Sequence, residues 1–207
     1  MTRLAMSIDL DMCIGCNACT IACKAEHGTQ RGVFWGYILQ KAYGRTPDVT
    51  RLFLPVLCNH CEEPSCEEVC PTGATYRDER GVVLVDYDKC IGCKTCIAAC
   101  PYGVRHYIEK EESYFQDTPV PHGIGELGGY ENVVQKCDLC VDRLQTGSEP
   151  RCVEVCPTYC RKFGDLEDQN SEVSRALAGQ SSFVLRPEVG TKPRIHYLMK
   201  RKLVLSA

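Results

Sequence analysis

Four groups of four cysteines constrain the fold of this chain more than any other feature of its sequence. Of its 207 residues 17 are cysteine, and sixteen of these fall into the four groups. The first and third groups share the spacing C-x2-C-x2-C-x3-C, the second reads C-x2-C-x4-C-x3-C, and the fourth reads C-x2-C-x11-C-x3-C. The groups are Cys13, Cys16, Cys19, Cys23; Cys58, Cys61, Cys66, Cys70; Cys90, Cys93, Cys96, Cys100; and Cys137, Cys140, Cys152, Cys156. So many regularly spaced thiols indicate a fold built around metal sites.

The repeat extends beyond the cysteines, and its two copies are nested. Residues 8–13 align with residues 85–90, and EPSCEEVCPT aligns with EPRCVEVCPT. The second and third groups lie side by side, whereas the first and fourth lie outside them and must meet in space to complete a second copy. We therefore expect an α+β fold with two nested ferredoxin-like modules. The predicted bounds are 1–27 plus 132–170 for the outer module, 52–108 for the inner module, 28–51 and 109–131 for two insertions, and 171–207 for a C-terminal extension.

Strand and turn signals agree with this arrangement. Residues 74–78 and 82–86 read as two strands joined by a turn in the inner module. In the outer module the equivalent strands are predicted at 5–10 and 160–165. Short helices are expected after the third cysteine of the first and third groups.

The spacing is typical of bacterial two-cluster ferredoxins. Three thiolates in a tight loop bind three corners of a 4Fe–4S cluster, and the fourth cysteine, usually followed by proline, reaches the neighbouring cluster. Proline follows the fourth cysteine in three of the four groups. The pattern predicts four 4Fe–4S clusters and uses each of the sixteen thiols once. The predicted ligand sets are Cys13, Cys16, Cys19 with Cys156; Cys23 with Cys137, Cys140, Cys152; Cys58, Cys61, Cys66 with Cys100; and Cys70 with Cys90, Cys93, Cys96.

Two other uses of the cysteines fit less well. Four zinc sites would match the ligand count, but zinc knuckles pair two C-x2-C motifs and have no use for a third cysteine in register. A disulfide scaffold is disfavoured because the count is odd and because thiols two residues apart cannot all find partners with acceptable geometry. The first twelve residues also lack the apolar segment of a secretory signal. The seventeenth cysteine, Cys160, is expected to be a free buried thiol on a strand.

Charge and composition argue against several functions. The net charge of −3 gives no indication of binding to nucleic acid or to an anionic membrane surface. No apolar run reaches the roughly 18 to 20 residues that span a bilayer, so no transmembrane segment is predicted. The sequence contains no Gly-rich phosphate loop and no nucleophile with an evident base, and four cysteines per cluster leave no open coordination position. No catalytic residue is predicted, and an electron relay between partner proteins is favoured.

The sequence resembles a known family of electron-transfer subunits. The four cysteine groups, CPTYCRKFGDLED at 156–168 and VLRPEVGTKPRIHYL at 184–198 are similar to the iron–sulfur subunits of the dimethyl sulfoxide reductase-type molybdopterin oxidoreductases. Within that family the polysulfide and thiosulfate reductases look most similar, with arsenate and tetrathionate reductases and transhydroxylases nearby. The resemblance covers nearly the whole chain and is weakest at 24–56 and 103–135.

The resemblance implies a peripheral subunit that lies between two partners. One is a large catalytic subunit with molybdenum or tungsten bis-molybdopterin guanine dinucleotide, and the other is a quinone-linked membrane subunit. The Cys13 cluster would face the catalytic subunit, followed by the Cys23/Cys137, Cys70/Cys90 and Cys58 clusters. Residues 28–50 and 109–130 are candidates for partner-facing surfaces, and ordinary covered loops are an equally good interpretation of both segments. The implied location is the cytoplasmic membrane, on the periplasmic side after export with the catalytic subunit, and a cytoplasmic location stays open.

Two alternative functions remain open at the level of sequence. The chain could be the iron–sulfur subunit of a soluble cytoplasmic molybdenum transhydroxylase, in which electrons circulate without net redox change. It could also be a free polyferredoxin that shuttles electrons between enzymes. Its length, nested topology and insertions favour a bound subunit over a free carrier.

Overall fold

The computed structural model describes residues 2–110 and 130–200. Most of the predicted insertion at 109–131, and residues 201–207 of the predicted C-terminal extension, lie outside the described residues. The described chain is a mixed α and β structure of short elements. In chain order these are β1 Leu4–Asp9, α1 Ala18–Glu26, β2 Gly36–Arg45, β3 Asp48–Leu57, α2 Ser65–Glu68, β4 Thr75–Arg77, β5 Val83–Val85, α3 Thr95–Ala99, β6 His106–Ile108, β7 Val133–Gln135, α4 Val141–Gln145, α5 Arg151–Glu154, β8 Arg161–Asp165, α6 Glu172–Leu177, β9 Ser182–Phe183 and β10 Ile195–Leu198.

The four strands predicted from the sequence are confirmed, to within one or two residues at each end. β1 pairs antiparallel with β8, with Met6 opposite Phe163. β4 pairs antiparallel with β5, with Tyr76 opposite Leu84. The first pairing joins the two ends of the predicted outer module, and the second lies within the predicted inner module.

The strand β10 is missing from the sequence-based prediction. It lies in the sheet of order β8-β1-β10-β9 and runs parallel to β1, with Met6 beside Ile195. Four residues are too few for a clear alternation of apolar and polar side chains, so the sequence gives no strong strand signal there. The last part of the chain thereby completes the sheet that carries β1.

The two predicted helices begin earlier than expected. α1 and α3 each start one residue before the third cysteine of their group, so Cys19 and Cys96 lie within the first turn. Each helix is preceded by a residue in the left-handed conformation, Asn17 with φ 60° and Lys94 with φ 63°. This sharp reversal brings the chain directly from the cysteine loop into the helix. α1 packs on α5, and α2 packs on α3.

Two further hairpins complete the described fold. β2 and β3 form an antiparallel hairpin from Gly36 to Leu57, so the predicted insertion at 28–51 contains β2 and the start of β3. β6 pairs antiparallel with β7 on the two sides of the segment outside the described residues. None of the helices in the described ranges is long and apolar enough to cross a membrane.

Cysteines form part of the hydrophobic core. The buried cluster that contains Met6, Ile8 and Tyr197 also contains Cys13, Cys58, Cys61, Cys137 and Cys156. The Tyr197 hydroxyl donates a 2.8 Å hydrogen bond to the Pro55 carbonyl and so connects β10 to β3. The apolar core therefore surrounds the candidate cluster sites rather than lying apart from them.

Candidate cluster sites

The first predicted ligand set lines one cleft. Cys13 and Cys16 come from the loop between β1 and α1, Cys19 comes from the first turn of α1, and Cys156 comes from the turn after α5. The cleft has a volume of about 300 Å³, and Cys160 and Arg161 also line it. The pairing of β1 with β8 brings these distant segments together.

The second predicted set surrounds a neighbouring cleft of about 270 Å³. Cys23, Cys137 and Cys152 line it together with Cys19. Cys140 does not line the cleft directly, but it lies close to the other members of the set. Burial raises the pKa of the Cys23 thiol, and the nearby charges of Cys152 and Cys140 raise that pKa further. The structure therefore brings all four members of this set into one region.

The two sets predicted for the inner module are also assembled. Cys70, Cys90, Cys93 and Cys96 line a cleft of about 320 Å³. In the other set, burial raises the pKa of the Cys61 thiol to about 11, with Cys58 and Cys66 contributing in the same direction. Burial also raises the pKa of the Cys66 thiol, and the charge of Cys100 contributes in the same direction. Crowded, desolvated thiols of this kind give up their protons when they bind iron, because a coordinating thiol is deprotonated outright.

Equivalent glycines shape the first and third cysteine loops. Gly15 and Gly92 have φ values of 69° and 65°, in the left-handed region that favours glycine. A Cβ atom on Gly15 would lie 2.3 Å from the Phe53 ring, and one on Gly92 would lie 2.2 Å from the Asn132 carbonyl oxygen. Both loops therefore need glycine for backbone conformation and for space.

Two of the sixteen predicted ligands are exposed, and they occupy equivalent positions. Cys16 and Cys93 are the second cysteines of the first and third groups, and the other fourteen are buried or half-buried. Ile14 and Ile91 beside them are 59% and 65% exposed. One site of each module therefore reaches the surface through the same loop.

The structure favours a different order of sites from the one that the resemblance implied. Cys58 and Cys137 lie in the same buried cluster. Burial raises the pKa of the Cys137 thiol, and Cys58 is among the neighbouring charges that raise it further. The Cys58 set is therefore a neighbour of the Cys23/Cys137 set.

Sequence reasoning missed three buried cations that lie against the cysteine sets. The exposed fractions of Arg161, Lys136 and Arg105 are 5%, 2% and 5%. Arg161 donates from Nη2 to the Cys19 sulfur at 3.5 Å and from Nη1 to the Cys152 sulfur at 3.8 Å. Arg105 donates from Nη2 to the Cys66 sulfur at 3.1 Å. Buried cations beside thiols fit the binding of an anionic group, because a buried charge is costly unless it is paired.

A signal for the two arginines is present in the sequence. Arg161 lies five residues after Cys156, and Arg105 lies five residues after Cys100, so both belong to the pattern C-P-x3-R. No comparable signal exists for Lys136. Sequence reasoning also missed His27, whose Nε2 lies 3.2 Å from the Cys140 sulfur and 3.6 Å from Asp138 Oδ1.

Cys160 agrees in burial with its prediction, but its sulfur is not isolated. It is 4% exposed and immediately precedes β8. Its sulfur lies 3.4 Å from that of Cys156. Hydrogen bonding to Cys13, with burial, raises the pKa of the Cys160 thiol. All seventeen cysteines, which lie within the described residues, are free thiols.

Comparison with known families agrees with the iron–sulfur interpretation. The 4Fe-4S dicluster domain matches residues 49–119 and 117–166, and the 4Fe-4S binding domain matches residues 10–29. These matches cover the four cysteine groups. The chain is therefore a ferredoxin-type protein that carries 4Fe–4S clusters.

Individual relatives extend over almost the whole chain. The arsenate respiratory reductase iron-sulfur subunit ArrB of Shewanella sp. strain ANA-3 is 37% identical over 95% of this chain and 96% of its own length. The B subunit of the sulfite dehydrogenase of Allochromatium vinosum is 41% identical over 98% of this chain and 85% of its own length. The B subunit of the tetrathionate reductase of Salmonella typhimurium is 39% identical over 95% of this chain and 72% of its own length. The chain belongs to the iron–sulfur subunits of the molybdopterin oxidoreductases.

Proposed function

We propose that the chain carries electrons through four 4Fe–4S clusters between a molybdopterin catalytic subunit and a quinone-linked membrane subunit. The observation that carries the proposal is that cysteines of three of the predicted sets line three clefts, while the thiols of the Cys58 set lie close enough to act on one another's pKa. Each cluster, when bound, accepts and releases one electron. The protein supplies the thiolates, the apolar surroundings that exclude water, and the charges that adjust the reduction potential.

The ligand sets of this proposal are those predicted from the spacing. Each set supplies four thiolates, one for each iron, and so leaves no position for a substrate. An electron-transfer role follows from closed sites of this kind, whereas a catalytic site needs an open coordination position. The substrate chemistry is therefore assigned to the partner.

Two nested ferredoxin-like modules remain the proposed architecture. Residues 1–27 and 132–170 form the outer module, which is supported by the pairing of β1 with β8 and the packing of α1 on α5. Residues 52–108 form the inner module, which is supported by the pairing of β4 with β5 and the packing of α2 on α3. The segments 28–51, 109–131 and 171–207 are additions to this pair. They add β2 to the hairpin with β3 and β10 to the sheet with β1.

The proposed electron path begins and ends at exposed sites. It runs from the Cys13 set through the Cys23/Cys137 set and the Cys58 set to the Cys70/Cys90 set. The exposure of Cys16 at one end and Cys93 at the other supports this order, because electrons must enter and leave where a partner can approach. Ile14 and Ile91 provide apolar contact surface beside these two cysteines.

The names of the relatives support the proposed partners. They are iron–sulfur or B subunits of arsenate, sulfite and tetrathionate enzymes. We place the Cys13 end against a catalytic subunit with molybdenum or tungsten bis-molybdopterin guanine dinucleotide. The partner would be a reductase of the polysulfide, thiosulfate or arsenate type, and the Cys93 end would face the membrane subunit. The proposed location is the periplasmic side of the cytoplasmic membrane.

Anaerobic purification of the tagged chain from its native host tests the proposal. We expect a large co-purifying subunit with molybdenum or tungsten, a membrane subunit, and about sixteen iron and sixteen sulfide per copy of this chain. Stoichiometric zinc, or iron for only two clusters, would contradict the four-cluster assignment. A molybdenum partner without a membrane subunit would support the transhydroxylase alternative, and a chain that elutes alone would support a free polyferredoxin.

A further inference from the structure

We propose that Arg161, Lys136 and Arg105 are fixed counter-charges of the relay, each at a junction between two adjacent cluster sites. Each cation raises the reduction potentials of both flanking sites above those that the thiolates alone would give. This inference rests on the proposed function, because it assumes clusters in all four thiol sets. It concerns residues that are not ligands, and it assigns one of them to each step of the electron path.

Arg161 lies between the two sites of the outer module. It lines both clefts, together with Cys19. Its two terminal nitrogens point to sulfurs of different sets, Cys19 of the first and Cys152 of the second. An arginine guanidinium stays protonated at every pH at which proteins function. The guanidinium is therefore a permanent charge shared by two sites.

Arg105 occupies the corresponding place in the inner module. Its Nη2 donates to the Cys66 sulfur of the Cys58 set, and its Nη1 donates to the Thr75 hydroxyl at 3.2 Å. Thr75 lines the cleft of the Cys70/Cys90 set. Burial raises the pKa of the Cys96 thiol of that set, and the charge and hydrogen bond of Arg105 oppose this effect. Arg105 therefore also acts on both neighbouring sites.

Lys136 lies at the junction between the two modules. Its Nζ donates to the carbonyl of Cys137 at 2.8 Å and to the carbonyl of Val83 on β5. The Cys137 carbonyl belongs to a residue of the Cys23/Cys137 set, and the Val83 carbonyl belongs to a strand of the inner module. The Val83 N–H in turn donates to His60 Nδ1 at 3.2 Å, and His60 lies between Cys58 and Cys61 in the sequence. Lys136 therefore lies between Cys137 and the loop that carries the Cys58 set.

None of the three cations forms an ion pair with a carboxylate in residues 2–110 and 130–200. Arg143 is different, because it contacts both Glu26 and Glu154. An unpaired buried cation is strongly destabilising, so an anionic partner is required. Iron clusters held by thiolates are negatively charged, and they would lie beside the sulfurs that Arg161 and Arg105 contact and next to the Cys137 carbonyl that Lys136 contacts. The cations and the clusters would then stabilise each other.

The two arginines also share a spacing along the chain. Arg161 and Arg105 each lie five residues after a cysteine that is followed by proline, Cys156 and Cys100, and each joins the two sites of its own module. A cation that lies between two sites stabilises the added electron at either one. It therefore raises both potentials with little effect on their difference, and it favours reduction of the relay without trapping the electron.

A redox titration of the purified complex, followed by electron paramagnetic resonance, tests the proposal. Arg161→Gln should lower the potentials of the Cys13 and Cys23/Cys137 sites and leave the other two sites unchanged. Arg105→Gln should lower the potentials of the Cys58 and Cys70/Cys90 sites instead. Arg161→Lys, which keeps the charge, should stay closer to the wild-type potentials than Arg161→Gln. Arg175→Gln is the control, because Arg175 is exposed on α6 and lines none of the three clefts, so water screens its charge and the change should shift no potential.

Iron content separates this proposal from the proposed function. Fewer than four clusters in the unmutated chain would defeat the four-cluster function, whatever the arginines do. Full iron content with unchanged potentials in Arg161→Gln and Arg105→Gln would overturn the counter-charge assignment alone, as would an equal shift at all four sites. If the glutamine variants lose iron, retention of iron by Arg161→Lys and by Lys136→Arg supports a need for the charge. Loss of iron in the charge-retaining variants as well would overturn the assignment.

Discussion

The sulfurs of Cys156 and Cys160 lie 3.4 Å apart beside the first cluster site, yet the repeat assigns only Cys156 as a ligand. Cys156 is equivalent to Cys70, the fourth cysteine of the second group. Four residues after Cys70 the inner module has Ala74, at the position that Cys160 occupies in the outer module. An alanine thus fills this position in one copy of the fold, which indicates that a thiol is not needed there.

This comparison gives a prediction for the two thiols. Cys156→Ser should lose one cluster, because it removes a ligand that joins the two ends of the outer module. Cys160→Ala should keep all four clusters and cost about 1 kcal/mol, as expected for the loss of a small buried group. Iron and sulfide analysis after anaerobic purification distinguishes the two variants. Equal iron loss in both would mean that Cys160 is itself a ligand.

Cys93 gives a second prediction at the residue scale. It is exposed, so substitution should leave the core intact while removing the protein anchor of one iron. Cys93→Ser should therefore convert the Cys70/Cys90 site to a three-iron centre, which gives a new electron paramagnetic resonance signal in the oxidised protein. The oxidised unmutated protein should give essentially no electron paramagnetic resonance signal. Cys16→Ser, at the equivalent position of the first group, is the matched control and should convert only the Cys13 site.

At the scale of elements, the turns next to the cysteines matter more than the helices or strands themselves. The helices that carry cysteines are four to nine residues long, too short to be stable in isolation. The positions of α1 and α3 depend on the loops before them, which contain Gly15 and Gly92 in the left-handed conformation. Packing of α1 on α5 and of α2 on α3 then brings two groups of each module together.

Gly92→Ala is predicted to damage the Cys70/Cys90 site specifically. The added Cβ would lie 2.2 Å from the Asn132 carbonyl oxygen, so the loop between Cys90 and Cys93 must move. Gly103→Ala is the matched control, because Gly103 has a φ of 64° but no atom within 4 Å of an added Cβ. We expect loss of one cluster in the first variant and full iron content in the second, with a cost of about 1 kcal/mol. Iron loss of the same size in both would show that backbone strain alone is responsible.

At the scale of the whole molecule, the proposed ligand sets join segments that are far apart in the chain. Cys13 and Cys156 are more than 100 residues apart, as are Cys23 and Cys137. Several of the predicted ligands are also members of the main buried cluster. Folding and cluster binding are therefore coupled, because the sites do not exist in the unfolded chain.

This coupling predicts that removal of iron unfolds the chain. Anaerobic treatment with a chelator and a reductant should abolish most of the helix and sheet signal in far-ultraviolet circular dichroism, in parallel with the loss of iron. The three buried cations reinforce this expectation, because they would lose their anionic partners. Native-like dichroism after complete removal of iron would contradict it. Treatment with the reductant alone is the control and should leave both iron and secondary structure unchanged.

The sequence by itself determined the four paired strands and the family, and it predicted the ligand sets and the two nested modules. These features are readable because the spacing of cysteines around one cluster is local: a few residues of loop set the distances between thiols. The nested order of the groups followed from the same repeat. The first residue of each helix and the strand β10 could not be predicted from the sequence, because a single left-handed residue or a strand of four residues gives no recognisable sequence pattern.

Only the tertiary structure decided how the sites follow one another and what lies between them. The neighbourhood of Cys58 and Cys137 depends on how the two modules pack, and no spacing in the chain encodes that contact. The burial of Arg161, Lys136 and Arg105 has the same origin. A cation in the sequence is as compatible with a solvated surface as with a buried junction, and only the surrounding fold removes the water from it. Desolvation and proximity are properties of the assembled chain, so the electrostatics of this relay could be derived only from the structure.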